Sequence, residues 1–319
     1  MNIELLIRAQ KVYQPIVLDE ITLEQERKGA PSKLEFTVVK DQNIAFEHGN
    51  QVQLKIDGTP MFMGFVFEKS RDKKQHIKVV AYDQLRYLKN KDTYVYKNAT
   101  ASDLIKRIAN DFKLKLGTIE NTGYKIKRSE DNQTLFDIIQ NALYITGYHT
   151  GKIFVLYDDF GKLTLKNVES MKTNILIDAE TAEDFDYSSS IDGDTFNQIK
   201  LVKENDKTKK REIYIVKDNN RIGDWGVLQY YDTIQEEENG KSKANWLLRA
   251  KNRVVRNITI KGCFGDLSVR AGSSVPVNLN IGDKIIDNKY LVVERVKHKF
   301  TTDHHSMDLT LFGGNLFEV

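Results

Sequence analysis

Three of the chain's six histidines crowd its C-terminal end, where His298, His304 and His305 lie close to Asp303. These are the donor types of a transition-metal site. Their spacing does not fix one. His298 falls on the apolar side of a strand with Val296 and Phe300, whereas His304 and His305 sit at or beyond the polar turn that follows. Two of the three can meet across a hairpin, but no H-E-x-x-H or comparable pattern holds a third ligand. No metal is expected. Glu294 shares the His298 face, yet four strand residues separate the two by about 13 Å, too far for a hydrogen-bonded acid–base dyad. Each is expected to meet other partners in a buried or interface-facing setting.

The remaining motifs that could do chemistry dissolve in the same way. Asp159-Phe160-Gly161 spells the magnesium motif of protein kinases, but the catalytic-loop and strand-lysine motifs are absent, and the tripeptide reads as a hairpin tip that needs glycine for its φ. Lys207, Lys209, Lys210 and Arg211 form a basic run, answered by Glu236-Glu237-Glu238. Neither is interleaved with the aromatic residues of a nucleic-acid surface, so both read as solvated loop charge or a charge-steered protein contact. Cys263 is the single cysteine, which excludes an internal disulfide and a cysteine-cluster zinc site; beside Phe264 it reads as a small buried hydrophobe. The chain has no G-x-S-x-G, no P-loop and no dinucleotide fingerprint, and nothing nominates a glycosidase carboxylate pair. No catalytic, cofactor-binding or metal residue is expected, and no enzyme.

The elements that carry these residues are mostly strands. Leu34, Phe36 and Val38 alternate with polar neighbours, as do Val52, Leu54 and Ile56. Asp57-Gly58 is a hairpin turn, Met61 to Phe67 the returning strand, and Gly64 a bend or close backbone approach. Ile77, Val79 and Ala81 alternate into Tyr82-Asp83. The pattern changes near Asn98. Thr100 to Asp103 resembles a capping box, followed by Leu104, Ile105, Ile108, Ala109 and Phe112 at helical spacing. Leu135, Ile138, Ile139, Ala142 and Leu143 make a second helical stripe, with Gly147 placed as its left-handed cap. Ile153 to Tyr157 and Leu163 to Leu165 form a hairpin. Strands return at Ile199 to Val202, Glu212 to Val216 and Val254 to Ile260, with a short helix capped by Ser242. Gly265 to Gly272 is a turn-rich approach. Tyr290 to Phe300 and Met307 to Leu311 then make a closing hairpin, with Tyr290, Val292, Val296 and Phe300 on one face and Arg295, Lys297 and Lys299 on the other.

Three units follow: a small β-barrel over 1–92, an α+β region over 93–177, and a second β-barrel from 178–216 and 253–319. Residues 217–252 are expected as an insertion that packs back on the middle. The composition suits this. In 319 residues, 40% are hydrophobic and only 4 are proline, enough for real cores. The net charge of +3, from 48 basic and 45 acidic residues, is too balanced for a dedicated nucleic-acid or anionic-membrane binder. The N-terminus lacks the features of a signal peptide and no apolar stretch approaches the ~20 residues of a membrane span. Synthesis in the cytosol is expected, with exit, if any, by a route other than a cleaved signal.

The order of these elements resembles the baseplate (tail) hub proteins of contractile phage tails and phage-like particles, most closely the XkdQ and YqbQ group of PBSX-type prophages, relatives of the type VI secretion spike hub. The residues that carry the likeness are Phe62 to Val66, Val80 to Leu88, Tyr94 to Ile105, Thr134 to Ile139, Gly265 to Gly272, and Tyr290 to Leu311 with His298 and Phe300. The resemblance implies two tail-tube-like β-barrels flanking an α+β domain, the second barrel interrupted by an insertion. It implies a homotrimer whose six barrels adapt a six-fold tail tube to a central spike, with baseplate wedge and LysM-type tail proteins as further partners, assembled into a phage tail or tail-like particle. An infectious phage, a defective prophage and a tail-like bacteriocin fit alike. Two other functions compete: a tail-associated peptidoglycan hydrolase, and a cell-wall carbohydrate-binding module using Trp225 and Tyr230-Tyr231 as platforms, residues for which core or interface packing is the alternative use.

Overall fold

The computed structural model of the chain describes residues 1–204, 210–234, 238–281 and 285–313. Lys207, Lys209, Glu236 and Glu237 lie outside them. In chain order the N-terminal strands are β1 (Ile3–Arg8), β2 (Val12–Tyr13), β3 (Val17–Glu26), β4 (Lys33–Val38), β5 (Gln51–Ile56), β6 (Thr59–Arg71) and β7 (Ile77–Tyr82). The middle region holds β8 (Lys91–Thr100), α1 (Ala101–Asp111), β9 (Leu116–Ile119), β10 (Lys125–Thr134), α2 (Leu135–Thr150), β11 (Phe154–Asp158) and β12 (Leu163–Asn167). Then come β13 (Ile177–Asp178), β14 (Asp184–Ser190), β15 (Gln198–Glu204), β16 (Arg211–Lys217), α3 (Asn219–Trp225), β17 (Gln229–Ile234) and α4 (Gly240–Lys251). The chain closes with β18 (Val255–Phe264), β19 (Ser274–Asn280), β20 (Ile285–Phe300) and β21 (His305–Gly313).

The period-2 patterns become strands with one buried face. Leu34, Phe36 and Val38 of β4 and Val52, Leu54 and Ile56 of β5 all point into one core with Leu23, Phe62, Val66 and Val79. The β5–β6 turn has Asp57 at φ 47° and Gly58 at φ 78°, the left-handed pair that a two-residue hairpin needs. A side chain at Gly64 would place its Cβ 2.3 Å from the Tyr82 carbonyl oxygen, so glycine alone lets β6 lie against β7 here. Ile258, Ile260, Cys263, Val293, Val296, Met307, Leu309 and Leu311 fill a second core.

These two sets of strands do not close separately. Among the described residues they form one 13-stranded sheet in the order β14-β18-β21-β20-β3-β4-β7-β6-β5-β1-β2, with β19 on β20 and β13 on β19. No ladder in that order closes either half into a barrel. The reason lies in β20. Its first part pairs with β19 as far as Ser274↔Val292, and beyond a register shift its last part, Arg295 to Phe300, pairs with β3. The shift also breaks the alternation expected there: Leu291, Val292 and Val293 are all buried, while Tyr290 is exposed.

The middle region packs α1 and α2 on β8 and β10 around Leu104, Ile108, Leu135, Ile138 and Leu143. Thr100 and Asp103 make the expected capping box, each side chain accepting from the other's backbone N–H. Helix α2 runs past Gly147 and is capped by Gly151 at φ 72° instead, because the packed stripe continues beyond the buried Gly147 to Tyr148. The expected strands at Ile199 and Glu212 exist, but they pair with each other, and β15 with β17, in a three-stranded sheet of their own. Helix α4 covers that sheet. Its N-cap is Asn239, three residues before the expected Ser242, and accepts from the Ser242 N–H. Trp246 of α4 meets Tyr144 of α2 edge-on at 4.6 Å. Glu238 accepts from Arg128 of β10 and from Lys243. No described helix is long and apolar enough to cross a membrane.

Candidate functional site at the joint of the two half-sheets

The β3–β20 ladder is where sequence-distant residues meet in one arrangement. Its register sets Ile21 opposite Phe300, Leu23 opposite His298, Gln25 opposite Val296, and Glu24 and Glu26 opposite Lys297 and Arg295. Alternation then sorts the two sides. Ile21, Leu23, Val296, His298 and Phe300 are buried, and Phe300 belongs to the N-terminal core although it comes from the C-terminal strand. On the other side Arg295 lies 3.0 Å and Lys297 3.5 Å from Glu24, and Arg295 also reaches Glu26. Burial alone would raise the Glu24 carboxyl, but the Arg295 hydrogen bond and the Lys33 charge lower it on balance. Arg27 donates to Glu294 at 2.6 Å, and its backbone N–H to the Glu294 carbonyl, which fastens the point where β20 changes partner.

His298 is fully buried. Its Nδ1 lies 3.0 Å from His305 Nε2 across the hairpin, and its Nε2 3.0 Å from the Val269 carbonyl oxygen. The carbonyl can only accept, so Nε2 carries the proton and Nδ1 accepts from His305. Burial first, and the neighbouring His305 next, hold His298 down to about 3; burial holds His305 down to about 4. Both are neutral at physiological pH. Gly265 makes this possible, since a Cβ there would fall 2.1 Å from the His305 ring. His304 stays in the exposed turn, where its backbone bonds Thr301. Among the described residues no group of three His, Cys, Asp or Glu side chains is placed to hold a metal. Cys263 is buried against the Met307 carbonyl, and burial pushes its thiol up to about 12.

A second buried polar cluster ties the joint to the middle region. Asp83 follows β7 and accepts the backbone N–H groups of Ser32 and Leu85. Asp158, at the end of β11, accepts from Gln84 Nε2 and from the Gly161 N–H. Burial, then the Asp158 charge, raises the Asp83 carboxyl well above the usual range; burial also raises Asp158, against the pull of its two hydrogen bonds and Arg270. The Arg270 guanidinium stacks on the Tyr157 ring at 3.6 Å and donates to the Asp158 carbonyl. Asp159-Phe160-Gly161 is the β11–β12 turn beside this cluster, with φ of 47° and 84° at its last two residues. Asp158 and Arg270 also line a cavity of about 760 Å³ with Asp159, Lys166 and Asp266, and the buried Arg270 Nε has no hydrogen-bond partner among the described residues.

The remaining sequence candidates scatter. Tyr230 packs inside the small sheet against Phe196, Trp225 stacks under Arg221, and Tyr231 is exposed. Arg211 pairs with Glu204 of its own hairpin. Sequence reasoning missed Gln84, Arg270, Arg27 and the carboxyl pair. Only Asp83 carried a signal, an N-cap residue directly after a strand.

The arrangement is made of ladders, paired surface charge and hydrogen-bonded buried polar groups, and its fold has known counterparts. Prophage MuSo2 43 kDa tail protein from Shewanella oneidensis superposes with a TM-score of 0.70 over 97% of this chain and 98% of that one, at 14% identity. The E. coli c3393 protein, a type VI secretion system component described as similar in structure to T4 bacteriophage tail proteins gp27 and gp5, superposes with a TM-score of 0.57 over 98% of this chain and 78% of its own, at 11% identity. The fold is that of phage-tail structural proteins. The YQBQ-like family model matches residues 21–312, and the chain belongs to that family. Phage-like element PBSX protein XkdQ of Bacillus subtilis is a homologue, 31% identical over 325 residues that cover 98% of each chain.

Proposed function

We propose that this chain is a baseplate hub of a contractile tail: a homotrimer that adapts the six-fold tail tube to the central spike and the surrounding baseplate. The observation that carries this reading is the shared strand β20. It welds two half-sheets, each with its own core, into one continuous sheet within a single chain. Each half takes the part of one tube-like barrel, so three chains supply six units to a six-fold ring. Residues 93–177 form the middle domain, joined through Trp246 and Glu238 by the small β15–β17 sheet and α4, which begin at Gln198 and not at the expected 217.

The same edge-to-edge pairing then repeats between chains. Among the described residues the ends of the large sheet's main path are β14 at one side and β1–β2 at the other, with β13 ending the side branch on β19. Exposed Asp184 and Asp186 sit on β14, and exposed Arg8 and Lys11 at the other end. Opposite charge steers such a head-to-tail contact, and pairing covers two strand edges that would otherwise invite aggregation. The YQBQ-like family membership and the fold likeness to tail proteins support this assignment; tube, spike, baseplate wedge and LysM-type tail proteins are the partners it calls for.

The test is a charge swap in chain co-expressed with the adjacent tail tube protein. Asp184→Lys with Asp186→Lys is expected to abolish the ring, and Arg8→Glu with Lys11→Glu on the same chain to restore it. Rings that form equally well in all three proteins contradict the proposal.

A further inference from the structure

Among the described residues the small sheet β16-β15-β17 has one face under α4 and, apart from the buried Val202, leaves the other bare, and that bare face has the wrong composition for solvent. Ile199, Leu201, Tyr214 and Val216 point to the α4 side with Ala244 and Leu247. The register puts Ile213, Val202 and Thr233 in one row across the other face, and Ile215, Lys200 and Tyr231 in the next. Ile213 is 55%, Ile215 53% and Tyr231 57% exposed. An antiparallel hairpin with a single packed face ordinarily alternates apolar in and polar out; β16 is apolar on both. It is also an edge strand: among the described residues its only partner is β15. The usual protections of an edge, a central charge, a proline or a bulge, are missing from Ile213 to Ile215.

We propose that β16 and its bare face form a docking site for an extended segment of another protein, which adds as a fourth strand and carries aliphatic residues at alternate positions between acidic ones. Charge selects that occupant. Read along its bare face, β16 runs Arg211, Ile213, Ile215, Lys217, with Lys200 on the adjoining strand; among the described residues of that face the one carboxylate is Glu204, which pairs with Arg211 and leaves the face net positive. A second copy of β16 fits badly. Antiparallel self-pairing centred on Tyr214 matches Ile213 with Ile215 but sets Arg211 opposite Lys217, and like charges directly opposite are destabilising. An acidic–aliphatic–acidic strand reverses that sign at both ends while covering the same two isoleucines. The site lies outside the large sheet and does not depend on the ring.

Synthetic nine-residue peptides test it, since they need no knowledge of the natural partner. One carries Val and Ile at alternate central positions with Asp and Glu at both ends; a second replaces the acidic residues with Lys; a third scrambles the order of the first. Fluorescence anisotropy with the whole chain is expected to show saturable binding of the acidic peptide, weaker by about tenfold or more for the other two. Ile213→Glu with Ile215→Glu should abolish it with unchanged circular dichroism. Arg211→Glu with Lys217→Glu should reverse the preference to the Lys peptide, and hydrogen exchange should slow at β16 amides only with the preferred peptide. Equal binding of all three peptides, or indifference to both double variants, overturns the proposal. So does a concentration-dependent dimer that Ile213→Glu dissolves, which would hand the face to a second copy.

Discussion

Strands β20 and β16 solve the same problem in opposite ways. Each alternates apolar residues along an edge. In β20, His298 and Phe300 meet Leu23 and Ile21 of β3, and the charges beside them find Glu24 and Glu26. In β16, Ile213 and Ile215 meet no third strand among the described residues, and of the flanking cations Arg211 meets only Glu204 of its own hairpin while Lys217 is exposed. The first edge was completed inside the chain and the second was not. An edge of this kind is an unfinished ladder, and what differs is where the finishing strand comes from.

The largest effect should come from breaking the finished edge. Phe300→Ala removes a fully buried side chain that reaches from one half of the sheet into the core of the other. A loss of about 3–5 kcal/mol is expected in urea unfolding. The matching change at the open edge, Ile213→Thr with Ile215→Thr, should stay within about 0.5 kcal/mol at each site. Equal losses at the two edges would erase the contrast.

Next in size are the buried polar groups on either side of the joint, which bend the pH dependence in opposite senses. Folding depresses His298 and His305 from about 6.5. The neutral imidazoles therefore contribute stability that is complete above that value and drains away as pH falls towards about 3 to 4. Folding raises Asp83 instead. Its share is complete at acid pH and is lost as pH climbs from about 4 through the raised value. In melting curves from pH 4 to 9, His298→Leu is expected to flatten the acid limb, at a cost of about 1–3 kcal/mol for the stranded Val269 carbonyl. Asp83→Asn is expected to flatten the alkaline limb and leave the acid one alone. Identical pH profiles for both variants would refute the assignment.

The smallest effect belongs to the surface. Arg295→Ala leaves Glu24 with Lys33 and Lys297 close by, so no more than about 1 kcal/mol is expected, shrinking further in high salt.

Much of this was legible beforehand, for reasons that are local. Alternation gave β4, β5 and β21, the Asp57-Gly58 turn gave the β5–β6 hairpin, and the capping box gave the start of α1. The end of α2 was misplaced because a glycine inside an apolar stripe resembles a cap until the stripe is seen to continue. The joint itself was illegible. Pairing between residues 21–26 and 295–300 leaves no mark in either segment alone, and the apolar phase of His298 hinted at burial without naming β3 as the neighbour. Nor could periodicity show that β15 and β16 leave the large sheet, since a strand's own pattern says that one face is covered, not by what. The absence of a motif around Arg270 hid the carboxyl cluster for the same reason: its members come from three distant segments.

The central claim is that one chain supplies two units to a six-unit ring. Cryo-electron microscopy of tail particles carrying this chain, with copies counted at the tube's end, tests it most directly. The account predicts three copies, each spanning two of six equivalent positions through its β3–β20 joint. Six copies with one position each, or a ring in which that ladder has come apart, would contradict it.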